Sequence, residues 1–215
     1  MTQAPEDFRL KVGGLHTLAV DLPVFRPTHM IRLVDPELPE ALLQIAAPPE
    51  GVLLVRVNDT THADPLGPSH DHVADILGFI DSMLTAGGRG PVRLYVHCHA
   101  GVSRSTATAY LTLACRHGAG READAFAELL GLTEKPWPNR SIVAHADALL
   151  GCGGRLLAPL DAYRAAHPRR IDAYLRLHLR RIRLIPGYAE LMGMSREQQE
   201  RWQRRSTRVL RGVQG

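Results

Sequence analysis

Apolar and β-branched residues along this chain of 215 residues gather into short blocks. "FRLKV" (8–12), "LHTLAV" (15–20), "HMIRLVD" (29–35), "GVLLVRVND" (51–59) and "VRLYVHC" (92–98) read as strands, because runs of this length and composition suit a pleated, half-buried surface. The last two are nearly unbroken, which predicts central strands in a sheet covered on both faces. Between the blocks the period changes. "ELPEALLQIAA" reads as a short helix and "SHDHVADILGFIDSMLTAGG" as a longer one. In the second, Ser69 is placed to cap the start, Val73, Ile76, Leu77 and Ile80 recur at helical spacing, and Gly87 is placed to end it. Strand, helix and strand in that order predict a crossover between parallel strands. Further helical patterns fall at 104–117, 121–130 and 141–150, with two or three more toward the C-terminus. The pattern as a whole predicts an α/β fold of three layers, a mostly parallel central sheet of four or five strands flanked by helices, with a helical C-terminal extension.

Composition narrows this to one domain with an addition. At 45% hydrophobic residues the chain can build one good core, assigned to 1–155, and 156–215 is the extension. Cys98, Cys115 and Cys152 are too few and too odd in number for a disulfide framework and suit a reducing compartment. The opening "MTQAPEDF" is acidic where a signal peptide would be basic and then apolar, and no apolar run approaches the length of about 18 residues that a membrane span needs. The expectation is a cytoplasmic protein.

The net charge of +4 hides an asymmetry. Thirteen arginines and four acidic residues fall within 163–215, a net of about +9, against about −5 for the rest. In "IDAYLRLHLRRIRLI", Ile171, Leu175, Leu179 and Ile182 form one stripe while Arg176, Arg180 and Arg183 fall on other faces. This predicts a helix docked on the core by its apolar side. "SREQQERWQRRSTRVLRG", with Ser195 as cap and Trp202 and Val209 as apolar positions, predicts a second helix. The arginines read first as a solvated face and, alternatively, as a patch for acidic phosphoproteins, nucleic acid or an anionic membrane, although no recognised binding motif accompanies them.

The chemistry concentrates in "LYVHCHAGVSRSTATAYL". A strand that passes through a short loop into a helix aims backbone N–H groups and the positive helix end at one point, which is an anion site. Gly101 permits the turn. A cysteine at that point, Cys98, is expected to react as its thiolate. Arg104, at the far end of the loop, carries a planar fork able to hold two oxygens of a tetrahedral oxyanion. Nucleophile and clamp would then share one loop.

"HCHAGVSRS" (His97 to Ser105) resembles the signature loop of the cysteine-based protein tyrosine phosphatases, in the spelling of the dual-specificity branch. The resemblance implies a phosphocysteine on Cys98, and phosphate held by Arg104 and by the loop residues His99, Ala100, Gly101, Val102 and Ser103. It further implies that His97 tunes the thiolate from behind and that the Ser105 hydroxyl assists breakdown of the intermediate. The substrate would be a phosphorylated protein, carrying phosphotyrosine and also phosphoserine or phosphothreonine, and neither metal nor cofactor would take part. Such enzymes need a general acid, since expelling an unprotonated alkoxide is slow. "VLLVRVNDTTHADPLG" offers Asp59, the position the resemblance favours, and Asp64. The resemblance runs over 24–150. Near its end, in "NRSIVAHADALL", His145 stands near the family's asparagine and no proline follows Arg140.

Several residues have plainer readings. Cys115 and Cys152 lie among apolar helical positions and read as packing. His62, His70, His72, His97 and His99 are numerous enough to suggest zinc, but the adjacent His97, Cys98 and His99 cannot readily turn to one ion. Trp137 reads as a loop anchor rather than a substrate platform, and Arg26 and Arg32 as surface charges. Rival functions are a phosphoinositide or small phosphoester phosphatase, for which only His99 supplies a basic residue inside the loop, a rhodanese-type sulfurtransferase, and a non-catalytic phosphate-binding module.

Overall fold

Four of the five blocks form strands in the computed structural model, which describes residues 7–45, 48–85, 90–184, 187, 189 and 200. β1 (Phe8–Gly14), β2 (His29–Val34), β3 (Gly51–Arg56) and β4 (Val92–Cys98) make one parallel sheet in the order β1-β4-β2-β3. The block "LHTLAV" is a correction. After Gly14 the chain leaves the sheet in a short 3-10 turn, Leu15–Thr17, and continues as α1 (Leu18–Phe25). Only Leu15 of the turn is buried, while Val20 and Val24 face solvent on the helix. A short apolar run carries no period strong enough to separate these outcomes.

The second correction concerns β3, which is an edge strand rather than a central one. Its Val52 and Leu54 are 41% and 40% exposed, and only Leu53 and Val55 turn to the core. The central places belong to β4 and β2, and in β2 every residue from Met30 to Val34 is buried. "ELPEALLQIAA" shortens to a single 3-10 turn, Glu40–Leu43, entered from Pro39.

α2 (His70–Thr85) starts where the sequence predicts: the Ser69 hydroxyl accepts the His72 N–H at 3.3 Å, and Val73, Ile76 and Ile80 are buried. Gly87 lies outside the described residues. β3, α2 and β4 form a crossover that passes over β2, and β1, α1 and β2 form another that passes over β4. α3 (Arg104–His117), α4 (Glu122–Leu132), α5 (Arg140–Leu149) and α6 (Leu157–Ala166) follow. α3 is the central helix, buried at every residue from Arg104 to Ala114. Its Tyr110 meets the Phe126 ring edge-on at 5.0 Å and donates its hydroxyl to the carbonyls of Glu122 and Leu156. Such a helix cannot move without disrupting the core, so whatever it holds at its N-terminus is held firmly.

The chain divides into two units, Met1–Pro36 with Ile45–Ala165, and Glu37–Gln44 with Ala166–Gly215. In the second, α7 (Arg170–Leu184) is helical where the stripe predicts it. The side chains of Leu175 and Leu179, and the residues Ser195, Trp202 and Val209, lie outside the described residues. Among the described residues no helix is long and apolar enough to cross a membrane.

Candidate active site

β4 ends at Cys98 and α3 begins at Arg104, so the five residues between them are a loop strung from the centre of the sheet to the central helix. Gly101 turns it with φ +74°, where an L side chain is strained. Space excludes a side chain as well, because a Cβ there would lie 2.8 Å from both the carbonyl carbon and the oxygen of Gly13. Gly14 pairs with Cys98 in the sheet register, and a Cβ on it would meet the His99 carbonyl at 2.8 Å. The end of β1 is therefore a glycine surface on which the loop backbone lies. The loop carbonyls are engaged from outside: His99 by the Leu15 N–H at 3.0 Å, Val102 by the Trp137 N–H at 3.0 Å, and Ser103 by the Asn139 N–H at 3.1 Å. In a trans peptide the N–H points opposite to the carbonyl. The amides of Ala100, Ser103 and Arg104 accordingly point away from those partners, next to the positive end of α3.

Cys98 is 1% exposed, with its Sγ 3.2 Å from the Ser105 hydroxyl. Arg104 is 3% exposed. Its Nη1 donates to Asp35 Oδ1 at 2.6 Å and to the Val57 carbonyl at 2.5 Å, which pins the guanidinium from one side. Its Nε, 3.8 Å from Asp59 Oδ2, is buried without a hydrogen-bond partner. Burial disfavours the charge, but Asp59, Asp35 and Cys98 outweigh it and push the pKa up. Asp35 escaped the sequence reading; it lies just past the end of β2, where strand order brings it to the loop.

Behind the cysteine stands a further correction. Arg32, read as a surface charge, is 6% exposed, and its Nε donates to His97 Nε2 at 3.0 Å. Burial first, and then the Arg32 charge, lower the His97 pKa to about 3, so the imidazole is neutral. The His99 ring turns to the end of β2, where Nε2 accepts the Asp35 N–H at 3.1 Å.

The structure separates the two candidate acids. Asp59 Oδ1 accepts the Ser103 hydroxyl at 2.6 Å and the Asn139 Nδ2 at 2.8 Å, which fixes its side chain over the loop. Ser103 precedes α3 but caps nothing, since its hydroxyl is committed to Asp59. Asp64 serves its own turn, accepting the Leu66 N–H at 2.9 Å and Asn58 Nδ2 at 3.1 Å. Those bonds hold its pKa below the ordinary carboxylate value. Asn139 also escaped the sequence reading. Its Oδ1 caps α5 by accepting the N–H groups of Ser141 and Ile142, while its Nδ2 reaches Asp59 and the Thr60 carbonyl. The available signal was its position as an asparagine just before a helical pattern.

The remaining candidates have structural partners. His145 pairs through Nε2 with the Pro68 carbonyl at 3.1 Å. Trp137 packs between the Tyr163 ring and the Arg164 guanidinium, which lies 4.8 Å from its centre. Burial raises the Cys115 pKa to about 11, and raises that of Cys152 as well, so both are held as thiols. Among the described residues no three His, Cys, Asp or Glu side chains converge as a metal site would need.

No protein-family model matches the chain, and no curated protein sequence does. Solved structures do. The human tyrosine phosphatase-like serine/threonine/tyrosine-interacting protein is 22% identical with a TM-score of 0.47, covering 66% of this chain and 91% of its own. Human DUSP28 is 21% identical with a TM-score of 0.47, covering 73% and 94%. The Yvh1 phosphatase domain from Chaetomium thermophilum is 23% identical with a TM-score of 0.45, covering 70% and 96%. The first of these is phosphatase-like by its name, and the last is a phosphatase domain. At these identities and TM-scores the likeness decides nothing about chemistry, which must come from the loop itself.

Proposed function

We propose that this chain hydrolyses phosphate monoesters through a phosphocysteine on Cys98, as a protein tyrosine or dual-specificity phosphatase. The observation that carries the reading is the pair of buried groups at the two ends of one five-residue loop. Cys98 Sγ lies beside the Ser105 hydroxyl, and Arg104 is pinned through Nη1, with its Nε near Asp59 but without a hydrogen bond. The thiolate attacks phosphorus in line, forming the S–P bond as the P–O bond to the leaving group breaks. The clamp of Arg104 and the loop amides holds the equatorial oxygens through the transfer. Asp59 supplies the proton to the leaving oxygen. Its Oδ1 is saturated by Ser103 and Asn139, so Oδ2 is the oxygen that carries the proton. In the second half, Asp59 takes a proton from water, water attacks phosphorus, and the S–P bond breaks. The Ser105 hydroxyl, 3.2 Å from Sγ, donates to the departing sulfur.

The substrate class follows the resemblance of the loop: phosphotyrosine in proteins, with phosphoserine and phosphothreonine. A phosphoinositide would call for cationic side chains facing the ligand, and the one basic side chain between Cys98 and Arg104, His99, is turned to Asp35. Turnover of an aryl phosphate tests the reading. Cys98→Ser should remove it, Arg104→Ala should cost at least about 10²- to 10³-fold, and Cys115→Ser and a chelator should leave it unchanged. Turnover surviving in Cys98→Ser would overturn the mechanism.

A further inference from the structure

The geometry points to Arg32 as a positioning residue for the nucleophile, one that fixes the proton of His97 on Nδ1 and so orients the end of β4 that carries Cys98. The inference rests on the phosphatase reading above for its consequence in turnover, but not for its structural content. Arg32 and His97 are direct partners in the parallel register of β2 and β4, so their side chains leave the same face of the sheet side by side. Both are buried, and the Arg32 Nε lies 3.0 Å from His97 Nε2. A guanidinium has donors only and does not lose its proton. His97 Nε2 must therefore be the acceptor, and the ring proton sits on Nδ1, which faces the Cys98 carbonyl at 3.5 Å. The alternative tautomer would set two N–H groups against each other in a buried site.

The surroundings reinforce this choice. The charged or titratable groups that act on the His97 ring are Arg32 from β2, Arg104 from α3 and His99 from the loop, with the Tyr95 ring 6.1 Å away. Two of these are cations, so a second proton on His97 is opposed by both and the neutral ring persists. Burying a guanidinium is costly, and an apolar residue would fill a central strand with less desolvation. What an apolar residue cannot do is donate to Nε2. Held from both ring nitrogens, His97 keeps the last peptide of β4 in one orientation, and with it the direction from which Sγ meets phosphorus. A misplacement of the attacking atom of about 1 Å is enough to slow a transfer by about 10²-fold.

The test is a two-bond proton–nitrogen correlation spectrum of the histidine-labelled full chain. It is recorded for the wild type and for Arg32→Gln, which keeps an N–H donor without the charge, and Arg32→Leu, which keeps neither. The expected wild-type pattern for His97 is a protonated Nδ1 and a bare Nε2, unchanged through neutral pH. Arg32→Gln should retain that pattern and most of kcat. Arg32→Leu should move the proton toward Nε2 and lower kcat on an aryl phosphate about ten- to a hundredfold, by analogy with the loss of a partner that orients a metal-bound histidine, with KM little changed. A wild-type His97 protonated on Nε2 overturns the proposal, as does an Arg32→Gln variant that loses the pattern. An Arg32→Leu variant that loses kcat with its tautomer unchanged also overturns it, since that loss would be structural. If Arg32→Leu fails to fold, the wild-type and Arg32→Gln spectra still decide. A failure of the phosphatase reading would be distinguishable, because it would appear as absent turnover in a wild type whose tautomer is as expected.

Discussion

Asp59 and Asp64 sit close together in one loop and carry the same carboxyl group, so only their hydrogen-bond partners can give them different work. Asp59 is held by Ser103 of the loop and by Asn139, whereas Asp64 is spent on its own turn. With an alkyl phosphate, whose leaving group needs a proton, Asp59→Asn should cut kcat by about 10²- to 10⁴-fold. With a nitrophenyl phosphate the loss should be small. Asp64→Asn should show no such dependence on leaving group; if it does and Asp59→Asn does not, the assignment is wrong. The catalytic candidates were legible because they are local: Cys98, Arg104 and Ser105 lie within one stretch of eight residues. Arg32, Asp35 and Asn139 were not, because each acquires its partner only once strand order and helix docking bring distant segments together. A charged residue in a strand reads as solvent-facing until a buried neighbour is known.

The loop keeps its shape because Gly101 has a positive φ and lies against the backbone of Gly13. Gly101→Ala should therefore lower stability by about 1–3 kcal/mol in urea unfolding and lower kcat with it; an unaltered midpoint would contradict the close approach. Asn139 does two jobs that substitution can separate. Asn139→Ser keeps an acceptor for the N-terminus of α5 but loses the donor to Asp59, while Asn139→Ala loses both. Both should impair alkyl phosphate hydrolysis, and only the alanine variant should also lose about 1 kcal/mol from the cap. At this scale the long helices and the parallel sheet were readable from their periods. The block "LHTLAV" was misread because a six-residue apolar run suits strand and helix alike. "GVLLVRVND" was placed centrally because apolar continuity does not say which strand is covered, and the edge position of β3 leaves Val52 and Leu54 in solvent.

For the molecule as a whole, the buried His97 and the half-buried His29 set a dependence of stability on pH. The His97 pKa falls from an ordinary 6.5 to about 3 in the fold, and burial lowers that of His29 as well. The unfolded chain thus binds protons that the folded chain refuses, so stability is full above about pH 6.5 and is lost progressively as pH falls toward 3. Aspartates with lowered pKa, Asp64 among them, add to the loss only near and below their ordinary 3.8. Urea midpoints should accordingly decline between pH 6.5 and 4.5, and His97→Asn should flatten that decline; a profile equally steep in the variant would place its origin elsewhere. The central claim concerns a covalent bond, and trapping that bond tests it most directly. The full chain is mixed with an aryl phosphate labelled on phosphorus, quenched with alkaline detergent within the first turnovers, and digested at alkaline pH for peptide mapping. Label is expected on the peptide containing Cys98, and more of it in Ser105→Ala, where breakdown of the intermediate lacks its proton donor. Steady release of phosphate with no label on Cys98, or with label on a histidine instead, would contradict the mechanism.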